Sequence, residues 1–152
     1  VAPLVVVPAT PPAARAPVHQ GAAATAIPAN ERAPAPAPAA VAETEARELV
    51  TQWAAAWSAR DVSRYLAFYA PDFTPDKGVP LAAWEATRRK RLQAPRSIKV
   101  EVRDLRIETA GDNRLIARFT QDYAADAYRE SGTTKLLLLT RRDGAWKIVT
   151  EL

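Results

Sequence analysis

Ser97-Ile-Lys-Val-Glu-Val-Arg-Asp-Leu-Arg-Ile107 is where the chain changes its period. Ile98, Val100 and Val102 alternate with Lys99, Glu101 and Arg103, the two-residue repeat of a strand with one buried face. Leu105 and Ile107 continue with the phase shifted by one, which predicts a bulge near Asp104.

Upstream of Ser97 the apolar residues repeat at helical spacing. Glu43 to Trp57 places Ala46, Leu49, Val50, Trp53 and Trp57 on one stripe. Glu43 and Glu45 favour the start of that helix through its dipole. Asp61 is a good N-cap for a second, shorter helix, with Tyr65, Leu66, Phe68 and Tyr69 as its apolar body and Pro71 as its stop. Pro71 to Pro80 reads as a loop. Pro80 opens a third helix with the stripe Leu81, Trp84, Arg88 and Leu92, ended by Pro95.

Downstream, Gly111-Asp112-Asn113 is a turn, and Leu115, Ala117, Phe119, Gln121 and Tyr123 share one parity. A link around Ala125 to Gly132 leads into a strand from Thr133 to Arg141. Its unbroken Leu136 to Leu139 predicts cover on both faces. Asp143-Gly144 is a hairpin turn. Ala145 to Leu152 closes the sheet, with Trp146, Ile148 and Thr150 on one side. Three helices followed by a meander of about four antiparallel strands predict an α+β domain over residues 41–152, with the helices on one face of the sheet.

Residues 1–40 have a different character. They hold 9 of the 13 prolines and 15 alanines, and Ala33 to Ala39 alternates strictly with Pro. Proline fixes φ, removes a donor and keeps its predecessor out of the α region. Such a segment buries too little apolar surface to offset its ordering entropy. It reads as an extended, disordered Pro/Ala spacer. The alternative, a Pro-rich ligand for a recognition module, lacks a spaced basic or aromatic anchor. A spacer and a sequence without Met predict a further N-terminal domain on the same chain.

Composition excludes several chemistries. There is no Cys, so disulfides, thiolate metal sites and a Cys nucleophile are absent. The single His19 lies in the Pro/Ala stretch, which leaves the domain no His-based acid–base pair or metal site. No cofactor or metal is expected. No apolar run is long enough for a membrane-spanning helix. Net charge is +4, of which Arg15, Arg32 and Glu31 account for one unit. The remaining mild excess permits anionic partners without demanding them. Basic residues do not interleave with aromatics, so no nucleic-acid partner is expected.

With Trp53, Trp57, Asp61, Tyr65, Tyr69 and Phe73 in the helical part, the chain resembles the nuclear transport factor 2-like superfamily of cone-shaped α+β domains. Phe119 to Tyr123, Tyr128, Gly132, Lys135, Gly144 to Ile148 and Glu151 carry the resemblance in the strands. The likeness runs from Glu43 to Leu152. It implies a strongly curved sheet around a long first helix, with a hollow at the open end. Gln121-Asp-Tyr123, Tyr128, Gly132 and Trp146-Lys-Ile148 look most like the C-terminal domain of bacterial L,D-transpeptidases and their peptidoglycan-trimming relatives. The resemblance implies a periplasmic or cell-envelope location. In that family the chemistry belongs to a separate domain with a nucleophilic Cys, which this chain lacks.

The candidate pocket is Tyr65, Tyr69, Trp84, Gln121 and Tyr123. Gln121 shares parity with Phe119 and Tyr123, so it points inward with them, and a buried Gln has to be hydrogen-bonded. The competing reading is a structural network between Gln121 and a Tyr hydroxyl. Trp53, Trp57, Trp84 and Trp146 read chiefly as core, with one of them at the mouth of the hollow. Arg88-Arg-Lys-Arg91 is a solvated helix face in the ordinary reading. The functional alternative makes Arg88 and Arg91 an anion contact, for example to stem-peptide carboxylates.

Superfamily enzymes such as ketosteroid isomerase pair a pocket Asp with a Tyr. Here Asp76, Asp122 and Asp126 are the candidates. The parity of Asp122 and the loop positions of the others put all three outside a pocket, so no catalytic residue is assigned. Three functions remain open. One is a non-catalytic module that binds a small molecule or peptidoglycan fragment. The second is a small isomerase, dehydratase or cyclase. The third is a homodimerisation domain.

Overall fold

The structure, a computed structural model, describes residues 37–152. The candidate spacer lies outside the described residues up to residue 36. Among the described residues three α-helices come first: α1 Pro38–Ser58, α2 Val62–Leu66 and α3 Leu81–Gln93. Four strands follow: β1 Ile98–Thr109, β2 Arg114–Ala125, β3 Tyr128–Arg142 and β4 Ala145–Glu151. They pair antiparallel in chain order. This is the α+β architecture expected from the change of period at Ser97.

α1 starts at Pro38, earlier than the acidic residues suggest. Proline is tolerated in the first turn, where its missing N–H has no intrahelical partner to lose. Glu43 consequently lies inside the helix and pairs with Arg47 one turn on, at 3.0 Å. The stripe Ala46, Leu49, Val50, Trp53 and Trp57 is buried as the spacing required. It packs mainly on β1 and also reaches β2 and β4.

Asp61 caps α2 by accepting from the Arg64 N–H at 3.1 Å. α2 ends at Leu66, before Phe68 and Tyr69. The chain then docks under β4: the Ile148 N–H donates to the Phe68 carbonyl at 2.8 Å, and the Ala70 N–H to the Ile148 carbonyl at 2.9 Å. Those two bonds fix where the Tyr69 ring enters the core. Arg60, at φ 60°, closes the other helix junction. Its guanidinium donates to the carbonyls of Leu92 at 3.0 Å and Gln93 at 2.8 Å, satisfying the C-terminal end of α3.

Three register shifts set which side chains face inward. The first lies between Arg103 and Arg106, with Asp104 at φ 53°, where the sequence places its phase change. The second puts Ser131 and Gly132 of β3 opposite Asp122 of β2. The third inserts Val149 into β4.

The last two correct the sequence reading. β3 begins at Tyr128, after a two-residue turn at Asp126 and Ala127, so no long link separates it from β2. The Val149 bulge turns Glu151, rather than Thr150, into the core. Cover on both faces of Leu136 to Leu139 is not found: Leu137 and Leu139 are buried, while Leu136 and Leu138 are half-buried.

Candidate functional site

Inside the sheet, Trp53, Phe119, Leu137, Leu139 and Ile148 form a dry centre. Next to it lies a polar network built around Glu151. The Tyr69 hydroxyl donates to Glu151 Oε1 at 2.7 Å. Glu151 Oε2 accepts from Lys135 Nζ at 2.9 Å and from Arg88 Nη2 at 3.3 Å. Arg88 Nη1 also donates to the Tyr65 oxygen at 3.1 Å.

The two tyrosine oxygens are 2.9 Å apart. Since the single Tyr69 proton goes to Glu151, Tyr65 is the donor between them. Trp53 Nε1 completes the set by donating to the Tyr69 oxygen at 3.0 Å. The loop from Arg88 through Tyr65 and Tyr69 to Glu151 and back to Arg88 is closed, and both Glu151 oxygens are occupied.

Electrostatics follow from that closure. Burial pushes the Glu151 carboxyl upward, but the charges of Arg88 and Lys135 and the Tyr69 hydroxyl outweigh it and hold it below the ordinary glutamate value. Burial first, and the Glu151 charge second, push both Tyr65 and Tyr69 well up. The carboxylate is thus ionised, the phenols are neutral, and Glu151 is 6% exposed. A buried carboxylate beside tyrosines is what the isomerase or dehydratase reading requires. Here both of its oxygens already serve protein donors.

The hollow lies beyond this network, at the end of the sheet where the β2–β3 hairpin sits. It is a cavity of about 410 Å³, lined by Trp57, Arg91, Gln121, Tyr123, Ala125, Tyr128, Glu130, Thr133 and Lys135. The size suits a small organic ligand. Register explains its polar wall: Gln121 pairs with Thr133, Tyr123 with Glu130, and Phe119 with Lys135. Lys135 joins the two layers, since its side chain lines the cavity while its ammonium rests on Glu151. The carboxylate of Glu130 is fixed by the Thr133 hydroxyl at 2.7 Å and the Tyr128 hydroxyl at 3.0 Å.

Gln121 is 5% exposed, and its buried Oε1 has no hydrogen-bond partner among the described residues. The indole Nε1 of Trp57, in the same wall, is also buried without an acceptor. The network expected between Gln121 and a tyrosine hydroxyl does not form, because Tyr65 and Tyr69 bond to each other and to Glu151.

The five residues expected to form the pocket therefore separate. Gln121 and Tyr123 line the cavity. Tyr65 and Tyr69 belong to the closed network below it, and Trp84 packs against Tyr69 and Phe73 with ring centroids at 4.7 and 4.5 Å. None of these three lines the cavity. The two arginines also separate. Arg91 reaches the cavity, whereas the anion that Arg88 contacts is internal, the Glu151 carboxylate. Trp57 is the tryptophan at the hollow.

The three aspartates lie elsewhere. Asp122 is held by Arg103 in a two-point pair at 2.9 and 3.0 Å, and by the Gly132 N–H at 2.8 Å. Those bonds, first of all the Arg103 pair, keep its carboxyl far below the usual range. Asp126 accepts from the N–H groups of Arg96 and Ser97 at 2.9 and 3.0 Å. Asp76 accepts from the Lys77 N–H at 2.9 Å. Among the described residues no three acidic or histidine side chains converge as a metal site would require.

Lys135, Glu130, Thr133 and Tyr128 were missing from the expected pocket. The run Leu136 to Leu139 erases the two-residue alternation, so nothing in the sequence tells whether Lys135 faces in or out. Glu151 escaped because the Val149 bulge leaves no pattern in so short a strand.

No curated protein matches the chain. Among solved structures it is similar to Bd1075 of Bdellovibrio bacteriovorus, with a TM-score of 0.64 and 22% identity over 72% of this chain and 38% of that one. It is also similar to a mutant of Pgp2, the helical cell shape determining protein of Campylobacter jejuni, with a TM-score of 0.61 and 20% identity over 68% of this chain and 38% of that one. The chain therefore spans well under half the length of both. A nuclear transport factor 2-like protein of unknown function from Pseudomonas putida gives a TM-score of 0.61 and 20% identity, covering 73% of this chain and 84% of that one. At these identities the likeness speaks for the fold. A family model, the Cds6 C-terminal NTF2-like domain, matches residues 45–152. The helices, the meander and this match together place the chain in the Cds6 C-terminal NTF2-like domain family.

Proposed function

We propose that this chain is a non-catalytic binding or positioning module of a bacterial cell-envelope protein, and that its cavity holds a peptidoglycan fragment. The observation that carries the reading is Gln121. A buried amide is normally paired, and this one, on a residue that lines the cavity, has a buried oxygen without a partner among the described residues. No described residue answers it, and a ligand group that reaches this wall would. Arg91 adds a cation to the same wall, which suits a stem-peptide carboxylate.

Two further facts support a C-terminal module of an envelope protein. The family match concerns a C-terminal domain, and one structural neighbour is a cell shape determining protein. The resemblance to the accessory domain of L,D-transpeptidases fits both. In this reading a catalytic domain elsewhere on a longer periplasmic protein performs the chemistry, and this module presents the wall to it.

Calorimetric titration with soluble stem peptides tests the assignment. Gln121→Ala and Tyr123→Ala are each expected to weaken binding by about tenfold, the loss of one good contact. Unchanged affinity in both variants would remove the site assignment.

Homodimerisation is a second reading, favoured by the outer face of the sheet. Ile116 pairs with Leu138, Leu138 with Thr150, and Leu136 bonds to Leu152, giving that face more apolar surface than Arg118, Thr120 and Asp122 suggest. Sedimentation velocity across the micromolar range would show a rising coefficient for a dimer and a constant one for a monomer.

A further inference from the structure

Among the described residues Tyr128 is the one aromatic side chain that stands largely in solvent, at 57% exposure. Its position is fixed. The hydroxyl donates to Glu130 at 3.0 Å, and Glu130 is itself held by Thr133. On its inner side the ring meets Tyr123, with centroids 6.1 Å apart and planes at 59°. A rigid exposed tyrosine gives contact area at low entropic cost, which is why such residues recur in binding surfaces. Tyr128 also lines the cavity mouth, close to the tip of the β2–β3 hairpin.

We infer that Tyr128 is a stacking platform for a sugar ring lying outside the cavity, the sugar to which a bound stem peptide is attached. The inference rests on the cavity being a stem-peptide site. A cavity of about 410 Å³ is the size of a site for one small ligand, so a stem peptide that fills it leaves its glycan at the mouth. One face of a pyranose presents C–H groups, whose partial positive charge suits the electron-rich face of an aromatic ring. The hydroxyls at the sugar edge meet the Glu130 carboxylate, which the Tyr128 hydroxyl holds beside the ring. An aromatic side chain from a protein partner would use the ring and leave that charge unused.

The test compares three ligands on the full 152-residue chain by calorimetry. They are a stem tetrapeptide, the same peptide on its N-acetylated disaccharide, and the disaccharide alone. The disaccharide-peptide is expected to bind about tenfold tighter than the peptide. Tyr128→Phe keeps the ring and is expected to keep that ratio, while Tyr128→Ala brings it to about one. Equal affinities for peptide and disaccharide-peptide in the wild type, or an undiminished ratio in Tyr128→Ala, would overturn the platform and leave the cavity assignment standing. Absence of binding by both peptide ligands would overturn the cavity assignment and the platform with it.

Discussion

Glu151 and Gln121 are both buried polar side chains in the same interior, and they differ in whether the protein answers them. Glu151 has a partner for each oxygen, so removing its charge strands Arg88 and Lys135. Glu151→Gln is expected to cost about 3–5 kcal/mol in urea unfolding at neutral pH. Its pH dependence has a definite sign. The folded carboxyl lies below the ordinary 4.5, so its contribution is complete above that value and is lost as pH falls through the folded one. The gap between wild type and Glu151→Gln should therefore shrink below pH 4.5, and a gap constant down to pH 3 would contradict the network. Gln121 behaves in the opposite way. Its oxygen has no partner among the described residues to lose, so Gln121→Leu is expected to leave stability unchanged or raise it by up to about 1 kcal/mol. A loss of about 2 kcal/mol in the same measurement would mean that the amide is satisfied inside the protein.

At the scale of elements, bulges decide which side chains reach the site. Gly132 lies at φ +76° opposite Asp122, and a Cβ there would meet nothing within 4 Å. The cost of Gly132→Ala is then conformational, about 1–2 kcal/mol. Thermal unfolding should show it as a lowered midpoint, together with shifted amide resonances for Asp122 and Thr133. An unchanged midpoint would mean that the hairpin relaxes out of the left-handed region.

The same bulges set what the sequence reveals. The period change at Ser97, the Asp104 bulge, the Asp61 cap and the α1 stripe are local signals, and the structure reproduces them. Gln121 and Tyr123 were legible because β2 alternates cleanly. Lys135 was hidden by four consecutive leucines, Glu151 by the Val149 insertion, and Tyr128 by a hairpin tighter than its polar sequence suggests. Tyr65 and Tyr69 were recognised as important tyrosines, but spacing alone does not tell a pocket wall from the layer beneath it.

At the scale of the molecule, the domain is a layered device. A dry aromatic centre holds the Glu151 network, the network holds Lys135, and Lys135 forms the floor of an open cavity rimmed by the β2–β3 hairpin. Among the described residues no helix is long and apolar enough to cross a membrane. The family match and the neighbours place this fold beside other bacterial domains of the same kind, and the wall-binding role is our proposal for it. The most direct test is an NMR titration of the 152-residue chain with soluble peptidoglycan fragments, following backbone amides. The account predicts saturable shifts at Gln121, Tyr123, Thr133 and Lys135, with little change along α2. Unmoved resonances at those four positions in millimolar ligand would contradict it.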